Sequence, residues 1–423
     1  MRNTRFVNTT IKFVSISLSL LIGLSPRSMA YTRFSDRNSR HAIVVDTKSD
    51  RIVYEKDSLT PTAMASLSKM MTLLITFDDL KARKVSMHDQ VKILASDVNR
   101  DGTNMKLNEG DIVGLDVLLD SMMIISANDS ALAIARHVGG DYKTFVKRMN
   151  DKASEIGMTK TVFYNPNGLP IYGEKDGKKF TYENTTCARD VVILSKFLYD
   201  NYEKELTNIT SKKRFVNTKK QIDEENTNPI LPLFKESDGL KTGFTDKAGY
   251  CLAYSSRTNR GGENDVDNRL IGVSMGASSK EARRDSAYNT LDFITQKYKT
   301  KNLYKKGEVL ASKDINGMIN MDLCPDENIS IIKRQGEKFK QRLVYKRVNI
   351  LKDYDKPIAQ MQLIDAWGNI ATSVDLYPKS ALKDANFIER AYYSGLALLG
   401  DITGSTKSDK PKYPVFTIMN ESN

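Results

Sequence analysis

The sequence predicts an α/β sandwich: an antiparallel sheet gathers strands from both ends of one large domain, and a small all-β domain and a terminal helix follow. Three observations predict it. The chain has 423 residues, long for a single domain. Strand-like runs at 42–54 and 250–277 enclose a long helical stretch. From residue 303 the pattern changes to short alternating runs.

The elements follow in order. Arg2, Arg5 and Lys12 precede an apolar run from Phe13 to Leu24, and Ser28-Met29-Ala30 supplies small residues where an export peptidase cuts. Residues 1–30 therefore read as a secretory signal peptide, too short to span a membrane as a helix. Ala42–Asp46 and Ile52–Tyr54 flank Thr47–Arg51, the pattern of a hairpin at a sheet edge. An apolar run of Met70, Met71, Leu73, Leu74, Ile75 and Phe77 predicts a buried helix opening near Ser66. Residues 85–112 are short strand-like pieces separated by turns. A helix is predicted from Leu115 to Ile125. A second runs from Ser130 to Val138, capped by Asn128 or Asp129. Another covers Tyr142 to Ile156. Thr161–Tyr182 reads as loop, with a polar excursion at 171–183, and Ala188–Tyr199 as helix.

Tyr250–Ser256 and Arg269–Ala277 read as antiparallel strands around a polar insertion at 258–268, and Lys280–Tyr298 as helix. The large domain is thus placed at 31–299, with a boundary at Lys299–Asn302, and the all-β domain at 303–378. Trp367, the lone tryptophan, reads as a packing or turn residue. Residues 379–400 carry a helical stripe of Ala385, Ile388, Tyr392, Leu396 and Leu399, and 401–423 form a polar tail. The stripe suits a membrane surface or the protein equally, since the segment carries no net charge.

Composition excludes several classes. Hydrophobic residues make up 40% of the chain, ample for packed cores. The mean hydropathy of −0.43 argues against an integral membrane protein. The net charge of +12 drops to +8 once Arg2, Arg5, Lys12 and Arg27 leave with the signal peptide. No basic run interleaved with aromatics supports a nucleic-acid partner. A mildly basic exported protein suits an anionic wall or membrane surface. Cys187, Cys251 and Cys324 form neither a disulfide framework nor a metal site, so no metal or other cofactor is expected. The three histidines, at 41, 88 and 137, are scattered and give a histidine-based triad little support.

Ser-x-x-Lys occurs three times, at Ser66/Lys69, Ser330/Lys333 and Ser380/Lys383. Residues three apart on a helix share a face, so a lysine with a lowered pKa can take the proton of the serine hydroxyl. Alone the motif is weak. Only the first copy is followed, in order, by Ser126-Ala127-Asn128 at a helix break and Lys241-Thr242-Gly243 entering a strand. Each has a plain alternative: Ser126 and Asn128 as helix caps, Lys241–Gly243 as a turn. Together they supply acyl transfer. Ser66 is the nucleophile, Lys69 its base, Ser126 the proton shuttle, and Asn128 holds substrate amide or Lys69. Lys241 keeps Lys69 neutral by repulsion and attracts a carboxylate, and Gly243 lets a substrate backbone lie against the strand. The Ser66 and Phe244 amides are the candidate oxyanion donors.

Ala65–Thr72, Ile125–Asp129, Asn165–Leu169 and Asp238–Tyr250 together resemble the D-alanyl-D-alanine carboxypeptidases, the low-molecular-mass penicillin-binding proteins of serine peptidase family S11. The resemblance covers about residues 40–300 and implies a β-lactamase/transpeptidase-like fold with a helical subdomain. The implied substrate is a peptidoglycan pentapeptide ending in D-Ala-D-Ala, cleaved through a Ser66 acyl-enzyme, with β-lactams as covalent inhibitors. By the same resemblance Arg269 faces the substrate carboxylate and Thr242 shares it. The implied location is periplasmic or cell-surface, or peripheral on the outer face of the cytoplasmic membrane. Ser68, Met64 and Cys187 depart from the usual pattern without removing a reactive group. A DD-endopeptidase or transpeptidase on the same fold, and a silent wall-binding module, are the alternatives.

Overall fold

The computed structural model describes residues 34–379, apart from 176, 259–265, 267, 316–318, 347–355 and 367. Residues 1–30, read as a signal peptide, most of the 258–268 insertion, Trp367, all but the first residue of the helix read at 379–400, and the tail read at 401–423 lie outside the described residues, as do Ser380 and Lys383.

The main sheet is built from β1 (His41–Asp46), β2 (Ile52–Lys56), β3 (Ser237–Thr245), β4 (Gly249–Arg257) and β5 (Arg269–Ala277). Its order is β3-β4-β5-β1-β2, antiparallel throughout. Strands from both ends of the domain thus meet at the β5–β1 seam. Among the described residues six α-helices accompany it: α1 (Lys69–Lys81), α2 (Leu115–Ile124), α3 (Asn128–Gly139), α4 (Tyr142–Glu155), α5 (Ala188–Thr210) and α6 (Lys280–Lys297).

The near-continuous apolar run of β1 follows from burial on both faces. Ile43 and Val45 join the core under the helices α1 to α5, while Ala42 and Val44 face α6 in a second core with Tyr54, Leu252, Tyr254 and Leu291. Helix α1 lies at the centre, and Lys69 through Phe77 are all buried. A helix apolar on every side belongs inside a domain.

Two local expectations are corrected. Asn128 and Asp129 do not cap a helix from Ser130; α3 begins at Asn128 itself, with no side-chain cap on its preceding residue. The Asp129 carboxylate instead accepts from the amides of Met105, Leu107 and Ser130, tying an irregular segment to α3. The polar excursion after Pro170 is no loop but a hairpin, Ile171–Lys175 paired with Lys178–Tyr182.

Beyond α6 the chain enters β6 (Tyr298–Tyr304) without a linker, so Lys299–Asn302, expected as a boundary, sits inside a strand. β7 (Ala311–Ile315), β8 (Ile319–Cys324), β9 (Ile329–Arg334), β10 (Lys340–Tyr345), β11 (Ala359–Ile364) and β12 (Ile370–Pro378) follow. β6 pairs with β9, and the others form a sheet of order β7-β8-β12-β11-β10 around their own apolar core. Ser330 and Lys333 lie on β9, where residues three apart point to opposite faces, so this Ser-x-x-Lys cannot act as a pair. Arg51 joins the two parts: its guanidinium pairs with Glu337 and donates to the Ile332 carbonyl at 2.6 Å.

No helix among the described residues is long and apolar enough to cross a membrane. Cys187, Cys251 and Cys324 are unpaired and buried. Burial pushes the Cys187 thiol up to about 12, which makes it inert.

Candidate active site

Ser66 sits in a single 3-10 turn, Ala65–Ser68, that runs directly into α1. The turn is held from three sides. Ser68 Oγ donates to the Ala65 carbonyl at 2.7 Å and accepts from Asn184 Nδ2 at 2.8 Å. The Asn165–Leu169 loop crosses so closely that a Cβ on Gly168 would stand 1.9 Å from the Ala65 oxygen, and Gly168 has φ +85°. On the far side a Cβ on Gly243 would stand 3.0 Å from the Ser66 amide nitrogen. The structural demand for glycine at 243 is therefore the close approach of β3 to the Ser66 turn.

Lys69 opens α1 and is fully buried. Its Nζ lies 2.8 Å from Ser66 Oγ, 2.7 Å from Asn128 Oδ1 and 2.7 Å from the Asn167 carbonyl. Burial first, then repulsion from Lys241, holds its pKa well below the ordinary lysine value, with Asp129 opposing. A neutral amine has two N–H bonds and one lone pair. The two carbonyl oxygens take the N–H bonds, so the lone pair is left for the Ser66 hydroxyl. The arrangement can generate an alkoxide-like serine.

Ser126 is half-buried at the break between α2 and α3, with φ +68°. A non-glycine residue in the left-handed region costs on the order of 1–3 kcal/mol and is held there by its surroundings. Two residues on, Asn128 bridges Lys69 and the Asp101 carbonyl at 2.9 Å.

Lys241 is buried on β3, the edge strand of the sheet, and donates to the Thr242 carbonyl at 2.9 Å. Burial and the charge of Arg283 lower its pKa to about 7. Thr242 Oγ1 donates to Thr227 Oγ1 at 2.7 Å. Phe244 is 48% exposed and packs its ring 4.3 Å from that of Tyr250.

Arg269 is not brought to this group. Its guanidinium bonds Asp238 and Glu203, each at 2.7 Å, reaches Ser255 Oγ at 3.0 Å, and lies 3.8 Å over the Tyr199 ring. Burial raises the Asp238 pKa, but bonding and attraction to Arg269 outweigh it and hold the carboxyl below its ordinary value. Arg269 pairs with Arg257, while Thr242 pairs with Leu252. That is about 17 Å along the strands at the usual rise.

A different arginine meets the site. Arg283, in the first turns of α6, is buried, repels Lys241, and stands 5.8 Å from the Tyr250 ring. Its Nε is buried without a hydrogen-bond partner. The Lys280–Tyr298 helix was legible in the sequence, but which of its residues face the sheet was not. Asn167 and Asn184 were also missed as supports, although the Asn-Pro-Asn-Gly stretch marked the loop that carries Asn167.

Comparison with known proteins shows the family and the fold. The chain is 27% identical over 392 residues to the D-alanyl-D-alanine carboxypeptidase DacF of Bacillus subtilis, covering 88% of this chain and 95% of that one. Its fold matches penicillin binding protein 5 from Haemophilus influenzae with a TM-score of 0.66 at 23% identity, covering 82% of this chain and 98% of that one. It also matches penicillin-binding protein D2 from Listeria monocytogenes in its ampicillin-bound form, with a TM-score of 0.51 at 28% identity over 60% of this chain and 96% of that one. The family model described as D-alanyl-D-alanine carboxypeptidase matches residues 28–279, and with that match the chain belongs to the S11 peptidase family.

Proposed function

We propose that the protein is a serine-type D-Ala-D-Ala carboxypeptidase that trims the terminal D-Ala from peptidoglycan stem peptides. The observation that carries this reading is the environment of Lys69, a buried amine with two N–H bonds engaged and its third contact on Ser66. In the first step Ser66 Oγ bonds to the carbonyl carbon of the penultimate D-Ala and its proton passes to Lys69 Nζ. The carbonyl oxygen becomes an oxyanion facing the amides of Ser66 and Phe244. Ser126 relays that proton from Lys69 to the leaving nitrogen, the C–N bond breaks, and D-Ala departs with Lys69 neutral again. Water then attacks the ester, gives its proton to Lys69, and the Ser66–acyl bond breaks to restore the hydroxyl.

Asn128 positions Lys69 and the substrate amide. Lys241 and Thr242 attract the terminal carboxylate, and Gly243 lets β3 close on the Ser66 turn. The cation opposite the carboxylate in this account is Arg283, with its unpartnered Nε, in place of Arg269. β-Lactams acylate the same serine. The protein acts outside the cytoplasm, on the wall, after export through residues 1–30.

The test is D-Ala release from a soluble pentapeptide, with and without an added amine. We expect free D-Ala in both cases and none from Ser66→Ala. Product dimers in place of hydrolysis would overturn the carboxypeptidase reading, and no release by the intact enzyme would overturn acyl transfer altogether.

A further inference from the structure

The Ile171–Tyr182 hairpin carries chemistry that peptide trimming leaves unused. Its register pairs Ile171 with Tyr182 and Gly173 with Phe180, so these four residues share one face, and Tyr172 and Thr181 share the other. On the first face the rings form a chain. Tyr182 stands 5.4 Å from Tyr164 and 4.9 Å from Phe180. The Phe180 ring lies over Gly173, where a Cβ would come within 2.1 Å of it. The ridge is not core: Tyr164 is 42% and Tyr182 48% exposed.

Both ends of the hairpin are fastened to the walls of the active site. On entry, the Asn167 carbonyl accepts from Lys69 four residues before Ile171. On exit, Glu183 accepts from Thr245 Oγ1 on β3 at 2.7 Å, and Asn184 donates to Ser68 Oγ. Asn184 also accepts from the Tyr164 amide at 2.6 Å, which seats the third ring on the same support.

We propose that the Tyr164–Tyr182–Phe180 ridge is a carbohydrate subsite that holds the amino-sugar end of the substrate whose D-Ala-D-Ala end lies at Ser66. This deepens the function proposed above and rests on it. A pyranose ring has an apolar C–H face and a rim of hydroxyls. Half-exposed aromatic faces bordered by tyrosine hydroxyls complement both. A five-residue stem spans at most about 17 Å when extended, so a sugar attached to it stays beside the cleft, where the hairpin is rooted. A stable protein partner needs about 800 Å² per side, more than three rings offer. A membrane-inserting hairpin would carry its apolar residues at the tip. Here exposed Lys178 and Lys179 stand near the tip, and the rings lie toward the base.

The experiment compares D-Ala release from a bare acyl pentapeptide and from the same pentapeptide on its amino-sugar disaccharide. The proteins are wild type, Tyr182→Ala, Phe180→Ala, Tyr182→Phe and, on the opposite face, Tyr172→Ala. Penicillin acylation rates report the integrity of the cleft. We expect the ratio of KM for the disaccharide substrate to KM for the bare peptide to rise about fivefold to tenfold in Tyr182→Ala and Phe180→Ala. Tyr182→Phe keeps the ring and loses only the hydroxyl, so it should raise the ratio by less than the alanine variants, and Tyr172→Ala should keep the wild-type ratio. An unchanged ratio in both alanine variants would overturn the subsite. So would lost binding to anionic vesicles with that ratio intact, which would make the ridge a membrane contact. No D-Ala release from either substrate by the wild type would overturn the function itself, and the subsite with it.

Discussion

In the proposed reaction Lys69 and Lys241 divide the electrostatic work of the site. Lys69 must be neutral to accept a proton, so acylation falls on the acid side as Lys69 becomes protonated. Lys241 must be charged to attract a carboxylate, and its pKa of about 7 places the alkaline fall of kcat/KM near neutrality in the free enzyme. Lys241→Arg replaces it with a cation that does not deprotonate. The alkaline limb of the pH profile should then vanish while the acid limb persists, which a kcat/KM titration between pH 5 and 10 would read. The arginines give a second prediction. Arg283→Gln should raise KM for D-Ala release about tenfold or more, the effect of losing one charged contact of about 1.5–3 kcal/mol. Arg269→Gln should leave KM near wild type and lower the melting temperature, because Arg269 serves Asp238 and Glu203. The reverse pattern would restore the assignment of Arg269 to the carboxylate. The sequence marked Ser66, Lys69, Ser126, Asn128 and Lys241 through local spacing. It could not place either arginine, since a lone arginine acquires its role from strand register and helix facing.

At the scale of elements, the Ser66 turn depends on two neighbours that approach without side chains. Gly168→Ala would place a methyl group 1.9 Å from the Ala65 oxygen in a left-handed backbone. It should cost about 3 kcal/mol or more, visible as an earlier urea midpoint, and slow penicillin acylation by displacing the residue before Ser66. A variant with wild-type stability would show that the loop can retreat from the turn freely. Helix α1 and strands β1, β2, β4 and β5 were legible because burial writes a strong pattern, whereas Lys241–Gly243, read as the entry to a strand, lie inside β3. The Ile171–Tyr182 hairpin was not, because two strands with no buried face leave no periodicity to read. Its Asp176-Gly177 dipeptide was the available signal, since that pair favours a two-residue hairpin turn. The start of α3 was misplaced for another reason. Asn128 and Asp129 have the chemistry of caps, but tertiary contacts with Lys69 and with the Met105 and Leu107 amides claim them.

Across the whole molecule, the catalytic body and the β-rich part are joined by polar contacts at the β1–β2 turn. Arg51 is 7% exposed and its partner Glu337 10%, and Thr372 Oγ1 donates to the Ser49 carbonyl at 2.6 Å. Removing one member of such a pair leaves a buried charge, so Arg51→Ala should destabilise by about 3 kcal/mol. The hydrogen bonds of Arg51 run to Ile332 and Glu337 rather than to the Ser66 turn, so the acylation rate of the folded variant should match wild type. A slowed acylation would mean that the β-rich part supports the cleft directly. The change from helical to short alternating patterns announced that part from the sequence. The uninterrupted passage from α6 into β6 did not show there, because a polar strand such as Lys299–Asn302 reads like a linker.

The central claim is that Ser66, activated by a neutral Lys69, forms the acyl-enzyme. It is tested most directly by incubating the protein with a labelled penicillin across a pH series and mapping the adduct by mass spectrometry. The account predicts a single covalent label on Ser66, with a rate that falls as pH drops and Lys69 gains its proton, and no label in Ser66→Ala. A label on another residue, or a rate on Ser66 that does not change with acidification, would contradict it.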